Sequence, residues 1–283
     1  MRPVIRATLH YLALVVISAI WLIPVYAMLI NGFKSNLAVL STPVLVPPTS
    51  FSLSAYHIVF NALERPLLNS LIVVIPTALI STFLGAMGAY FFYTLTYSFS
   101  KFLSSLSDFL FSLITLATFI PYQATLIPLT RLVVSMGLLD NYLGIMFAML
   151  IFYIPTGALL MSMFISVVPR SIIEAAKLDG AGDLKIFMKL ILPLSLPGFI
   201  STLIFIIIEA WNNFFIPLVL VTTPGMRLIP VAVESYTGGY GTIYNETFAA
   251  AVIASIIPLA IFIFLGRYFI RGLIALGGGG KGV

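Results

Sequence analysis

Six stretches of the chain are apolar for about 20 residues or more, and shorter polar or proline-rich segments separate them. The first, 11–30 (YLALVVISAIWLIPVYAMLI), carries no charge and is long enough to cross about 30 Å of hydrocarbon as a helix. A second span is predicted at 67–95, where Gly85, Ala86, Gly88 and Ala89 give one small-residue face suited to close helix packing. A third at about 109–130 is interrupted by Pro121 and Pro128, and a fourth at 142–167 contains Pro155 and Gly157. The fifth runs from about 196 to 221 and the sixth from 247 to 266. Longer polar segments fall at about 31–66, 168–195 and 222–245. The pattern predicts an all-α membrane protein, one transmembrane domain over 1–283, with six transmembrane helices and both termini on the same side.

Composition narrows the class further. The chain is 61% hydrophobic and 8% charged, with mean hydropathy +1.15, a balance that neither a soluble domain nor a disordered chain shows. Arginines precede the first apolar run, as in a signal peptide. That run is too long and lacks a small-x-small cleavage site, so it is expected to stay as the first span. The net charge of +5 is spread thinly and does not point to nucleic acid. With no cysteine, disulfides, thiolate chemistry and cysteine metal sites are excluded. His10 and His57 lie far apart and make no metal pair. Of 14 Lys and Arg, ten (Arg2, Arg6, Lys101, Arg170, Lys177, Lys185, Lys189, Arg267, Arg271, Lys281) fall on one side of a six-span chain. Lys34, Arg65, Arg131 and Arg227 fall on the other, so both termini are expected to be cytoplasmic.

The most charged run is Val168 to Pro197, between the fourth and fifth spans. Ser171 with Glu174 has the spacing of a capping box and predicts a helix over Ile172–Leu178, which Gly180 ends. Asp183 is expected to cap a second helix in which Leu184, Phe187, Met188 and Ile191 share a face. Lys185 and Lys189 stand on another face, and Pro193 stops the helix. Such a helix-turn-helix has one face for the bundle and one for a partner; the plain alternative is a structural inner loop.

Glu174-Ala175-Ala176, with Gly180 four residues on and Leu192-Pro193 beyond, resembles the EAA loop of membrane subunits of binding-protein-dependent ABC importers. Leu190 stands where that family has isoleucine. Asn69-Ser70-Leu71, Leu126-Ile127-Pro128-Leu129, Trp211-Asn212, Arg271-Gly272-Leu273 and Lys281-Gly282 look, in that order, like the carbohydrate-uptake branch, and within it the maltose-type second permease (MalG-like). The four-glycine run and terminal Val283 depart from the usual tail. The resemblance implies a type I ABC importer permease fold in the plasma (inner) membrane. It further implies a complex with a second permease subunit, two ATPase subunits and an extracellular solute-binding protein, moving a sugar. Glu174, Ala175, Ala176, Asp179, Gly180 and Ala181 would then couple to the ATPase, while Tyr236, Gly238, Gly239 and Tyr240 would face the binding protein. No cofactor is expected on this chain, ATP and Mg being held by the partner ATPases.

Glu209 lies in the fifth apolar stretch, where a charge is costly unless paired or wet. Asn212 and Asn213 follow three and four residues later with Trp211 alongside. This polar face suits a translocation pathway for hydroxyl-rich solutes, or inter-helix hydrogen bonding. Tyr122 and Gln123, after Pro121, are a second pathway candidate. The tail Gly277–Gly282 fits G-x-G-x-x-G only superficially, since it follows a membrane helix and precedes none. A P-loop fails at Ala275 and Gly282, so ATP hydrolysis, if it drives transport, belongs to another polypeptide. Asn245-Glu246-Thr247 matches a glycosylation sequon next to a span. Two rival readings remain at this point. One is a stand-alone secondary transporter or channel with Glu209 as its ion site, although no internal repeat is visible. The other is an importer for another polyol-like solute such as glycerol phosphate, although no Lys or Arg lies deep in a span.

Overall fold

The computed structural model describes residues 2–97, 100–239 and 241–278, and every regular element among them is helical. Four helices are long and apolar enough to cross a membrane, and six spans result if each of two sharply bent pairs counts as one. The first, α1 (Arg2–Gly32), exposes apolar side chains nearly all round, with Trp21 79% accessible. Such a surface is stable only against lipid or another apolar chain. A short α2 (Asn36–Ser41) follows, its first turn capped by the Ser35 hydroxyl accepting from the Ala38 N–H at 3.2 Å.

α3 (Ser54–Thr96) begins well before the predicted 67 and runs for 43 residues. At 1.5 Å per residue it is about twice as long as the hydrocarbon is thick, so it extends beyond the membrane. Nothing in 54–65 breaks a helix, and the chain passes through Pro66 and Pro76 without interruption.

The third predicted span is two helices, α4 (Lys101–Ala117) and α5 (Leu126–Ser135), joined through one 3₁₀ turn and bent by 89°. Pro121 makes the break, because it lacks an N–H and disfavours helical geometry at Ile120. Pro128 does not break anything. It sits in the first turn of α5, where backbone N–H groups lack helical acceptors anyway.

α6 (Tyr142–Ile165) matches its predicted span and tolerates Pro155. After the loop helices α7 (Arg170–Leu178), α8 (Asp183–Ile186) and α9 (Leu192–Leu194) comes α10 (Leu196–Trp211). The fifth span ends at Trp211, and a separate α11 (Phe215–Leu220) completes the predicted stretch. Beyond α12 (Ile229–Glu234), α13 (Tyr244–Gly278) forms the last span and passes through Pro258.

The chain divides into two compact units. The first comprises Met1–Leu67 with Val231–Ile256, the second Leu68–Pro230 with Ile257–Val283. The first unit is tied by buried polar groups. Asn31 donates to the Ala27 and Val44 carbonyls, both at 2.7 Å. Lys34, 2% accessible, donates to Thr42 Oγ1 and the Pro43 carbonyl, and its own carbonyl accepts from Asn245 at 3.1 Å.

The second unit is built on close contact between α3 and α6. A Cβ added to Gly85 would lie 2.5 Å from the Gly157 carbonyl carbon and the Ala158 nitrogen, and one added to Gly157 would lie 2.6 Å from the Ser81 carbonyl oxygen. The small-residue face read from the sequence is therefore real at Gly85, Ala86 and Ala89, but Gly88 has open space where its Cβ would stand. Around this contact Ala86, Ala89, Tyr90, Met161 and Ile165 pack with Ile173, Ile186 and Phe187 of the loop helices.

Replacing Gly85 with Val should push α3 from α6 and cost about 1–3 kcal/mol of stability. The thermal midpoint of the purified protein should fall by several degrees, whereas Gly88→Ala should leave it unchanged.

Candidate functional site

The loop between α6 and α10, part of the second unit, folds back as a helical hairpin onto α3 and α6. Its first helix starts at Arg170, with Pro169 as its unbonded N-cap, so the predicted capping box does not form. Ser171 is already inside the helix, and Glu174 turns to Arg170 instead, Nε to Oε1 2.6 Å. A charged partner one turn back outcompetes a neutral N–H for the carboxylate. The end of α7 follows the expectation closely. Gly180 has φ +76°, its N–H reaches the Lys177 carbonyl at 3.0 Å, and the Ala181 N–H reaches the Ala176 carbonyl at 3.0 Å. This is a Schellman motif, and only glycine enters its left-handed position without strain.

α8 also departs from the expectation. Gly182 is its N-cap and Asp183 makes no cap bond. The Asp183 carboxylate instead pairs with Lys177 at 3.1 Å and accepts from the Tyr90 hydroxyl at 3.3 Å. From Phe187 to Ile191 the chain forms a π-turn, in which the Leu192 N–H reaches back to the Phe187 carbonyl. Ile186, Phe187 and Ile191 are buried, while Leu184 and Met188, expected on the same face, are exposed. Pro193 does not stop the helix; the 81° bend comes at Ser195, where α10 begins.

The EAA residues are split between two surfaces. Ile173 and Ala176, three apart, pack toward the core around Tyr90 and Phe187. Glu174, Ala175, Asp179 and Gly180 are exposed, and Ala181 is half-buried. Leu178 is 89% accessible and Leu184 65%, which leaves an apolar outer surface framed by charge. The inner surface is held by aromatic groups of α3. The Tyr93 hydroxyl donates to the Val168 carbonyl at 3.2 Å, and the Arg170 guanidinium lies 5.0 Å from the Tyr97 ring centre. Between these elements runs a groove of about 910 Å³. The Lys177–Asp183 and Arg170–Glu174 pairs are solvent-exposed and contribute little stability by themselves.

The second site is a cavity of about 360 Å³ between α6, α10 and the break of the third span. It brings together Tyr122, Glu209, Asn212 and Asn213 from the predicted pathway set, whereas Trp211 is buried and Gln123 does not line it. Sequence reasoning missed Phe152, Tyr153 and Thr156, which α6 supplies around Pro155. Their signal was a tyrosine and a threonine within an apolar span, which in a membrane require a partner or water. Tyr122 and Phe152 form an aromatic corner with ring centres 5.8 Å apart.

Asn213 lines the cavity and also makes an inter-helix hydrogen bond, the alternative that the sequence left open. Its Oδ1 accepts the Ile216 N–H at 3.1 Å, and its Nδ2 donates to Tyr153 Oη at 3.1 Å. It therefore starts α11 and leaves the Tyr153 hydroxyl hydrogen to be donated elsewhere.

A third group anchors the segment after α11. Asn69 donates to the Gly225 and Arg227 carbonyls at 2.9 and 3.0 Å and accepts from Tyr142 at 2.6 Å. The neighbouring Ser70 Oγ accepts the Ile229 N–H at 2.9 Å. Asp140, at φ +54°, takes the Thr222 and Thr223 N–H groups at 3.1 Å each and both threonine hydroxyls. Farther on, Gly238 and Gly239 have φ +82° and +127°, a turn that glycine alone enters freely. Tyr236 is half-buried beside them, and Tyr240 lies outside the described residues.

The chain is thus helical with broken spans, a polar cavity between helices and a loop helix whose outer surface is exposed. Residues 94–275 match the family of binding-protein-dependent transport system inner membrane components, and the chain belongs to that family. It is 77% identical to the glucose import system permease protein GlcU of Saccharolobus solfataricus, covering 100% of this chain and 99% of that one. It is 26% identical to the arabinooligosaccharides transport system permease protein AraQ of Bacillus subtilis, over 98% and 96% of the two chains. In fold it is similar to the crystal structure of a bacterial ABC transporter that imports the acidic polysaccharide alginate, with TM-score 0.71, 24% identity and coverage of 94% and 96%. The fold is that of a type I ABC importer permease.

The hydrogen bonds from the Thr223 hydroxyl and N–H, and then from Thr222, hold the Asp140 carboxyl below its ordinary range. A depressed folded-state pKa stabilises above the unfolded value of about 3.9 and loses that contribution as pH falls through the folded value. Asp140→Asn keeps the left-handed backbone accessible but removes the charge. Its thermal midpoint should trail the parent's at pH 7, and the gap should close as the pH drops below about 3.9. A gap unchanged down to the acid limit would contradict this.

Proposed function

We propose that this chain is one of two permease subunits of an ATP-driven glucose importer, oriented with both termini and α7–α8 in the cytoplasm. The observation that carries the reading is the 77% identity, along the whole chain, to a permease of a glucose import system. Family membership argues for an ATP-driven complex rather than a transporter working alone. On this reading the cargo enters the cavity at Glu209 and Asn212 after release from an extracellular binding protein.

Two ATPase subunits hold ATP and Mg, and this chain supplies the contact through Glu174, Ala175, Ala176, Asp179, Gly180 and Ala181. The exposed Ala175, Leu178 and Leu184 supply apolar surface for the ATPase, and the small Ala175 permits close approach. The inner surface of the same hinge is fastened to α3 through Tyr90 and Tyr93. Closure of the ATPases would thus pull directly on α3 and, through Gly85 and Gly157, on α6. Tyr236, Gly238, Gly239 and Tyr240 are assigned to the binding-protein surface, where the positive-φ glycines suit a loop that enters a cleft. Sugar hydroxyls match what the cavity offers: a carboxylate, an amide, hydroxyls and an aromatic corner.

Leu178→Asp places a charge on the apolar partner surface without touching the core, and Gly180→Asp strains the Schellman turn. Both should insert normally yet lose the ATPase on purification, with glucose uptake falling at least about tenfold, a loss of about 1.4 kcal/mol of coupling or more. Normal uptake and normal co-purification in both variants would exclude α7 as the coupling element.

A further inference from the structure

The cavity at the end of α10 has one property that hydroxyl recognition does not need. Among the described residues that line it, Glu209 is the sole charged side chain. No cation stands within salt-bridge distance of its carboxylate among the described residues, and it is solvent-accessible in the cavity. The rest of the wall is neutral. The Thr156 hydroxyl donates back to the Phe152 carbonyl at 3.0 Å, and the Asn212 amide donates to the Ile208 carbonyl at 2.9 Å. The Asn213 amide is engaged with Tyr153. These hydrogen bonds occupy the Thr156 and Asn212 donors, and the Tyr153 hydroxyl, free to donate, can hydrogen-bond a carboxylate without cancelling its charge.

A negative charge with no counter-cation in a cavity between helices produces a field that acts on every charged solute inside it. A metal site is a poor alternative, because no cluster of three or more ligating side chains is found among the described residues. We propose that Glu209 makes this stretch of the pathway a charge filter, passing uncharged polyols and holding back anionic sugars such as uronates and sugar phosphates. An uncharged hexose loses nothing by the carboxylate, which accepts from its hydroxyls. A hexuronate of nearly the same shape brings a second negative charge to a wall that offers no cation. The inference rests on the pathway reading above and adds to it the property by which cargo is selected. It also disfavours glycerol phosphate as cargo.

Because the chain has no cysteine, one placed at Thr156 reports the field inside the cavity directly. Thr156→Cys would be made in the intact complex, with the cysteine-free chain in the same complex as background. Labelling rates would be measured with a cationic (trimethylammonium) and an anionic (sulfonate) methanethiosulfonate of similar size, each scaled to its rate with a free thiol. The cationic reagent should be favoured roughly tenfold with Glu209 present, and the preference should collapse toward unity in Glu209→Gln. In the same variant, inhibition by glucuronate, absent in the parent, should appear when scored against the variant's own rate of glucose uptake.

D-glucose at saturation should slow both reagents. Labelling that ignores glucose would remove the pathway reading and the filter with it. A glucose-protected cysteine whose rate ratio does not depend on Glu209 would remove the filter alone.

Discussion

The contact of α3 with α6 at Gly85 and Gly157 is the constraint from which both candidate sites follow. Two helices approach this closely only where neither has a side chain, and a Cβ on either glycine would lie within 2.6 Å of the other backbone. Lipid supplies no hydrophobic drive for helix association, so surface complementarity has to provide it. The approach fixes the far end of α3 over the α7–α8 hinge, where Tyr90 and Tyr93 hold Asp183 and the Val168 carbonyl. It also fixes the α6 wall that bears Tyr153 and Thr156, with Ile206 of α10 packed against Gly157. The loop proposed to meet a partner and the cavity proposed to meet cargo are thus attached to one close-packed pair. On the proposed function, movement delivered at α7 would reach the cavity wall through this packing.

The breaks in the spans matter as much as the spans. Pro121 opens the third span and Asn212 ends the fifth, and each break frees backbone polar groups that a membrane does not satisfy. Both breaks border the same cavity, where water or cargo can meet those groups. Irregular backbone at membrane depth is tolerated where it lines such a space.

Much of this was legible in the sequence. Apolar length located the spans, and the Glu174–Gly180 spacing located the hinge, because φ-positive turns at Gly180 depend on a local residue preference. The face around Glu209 was visible as polar groups with no reason to be in lipid. What was not legible depended on competition or on distant partners. Ser171 lost its carboxylate partner to Arg170, and Asp183 left the cap for Lys177 and Tyr90. Ile186 of α8 took the buried side where Leu184 was expected. Asn213 lines the cavity and also holds Tyr153, and nothing in the local pattern names a residue 60 positions away. The anchoring of 222–229 by Asn69 and Asp140 is likewise a matter of tertiary neighbours.

The central claim is that ATP hydrolysed on partner subunits, and no ion gradient, drives a sugar through this chain. Its most direct test is glucose uptake into vesicles containing the complex and its binding protein, with ATP supplied on the ATPase side and all ion gradients collapsed by ionophores. Uptake that persists under collapse, stops when ATP is withdrawn and survives Glu209→Gln is the result predicted. Uptake that ceases on collapse with ATP still present, and is abolished by Glu209→Gln, would contradict the account.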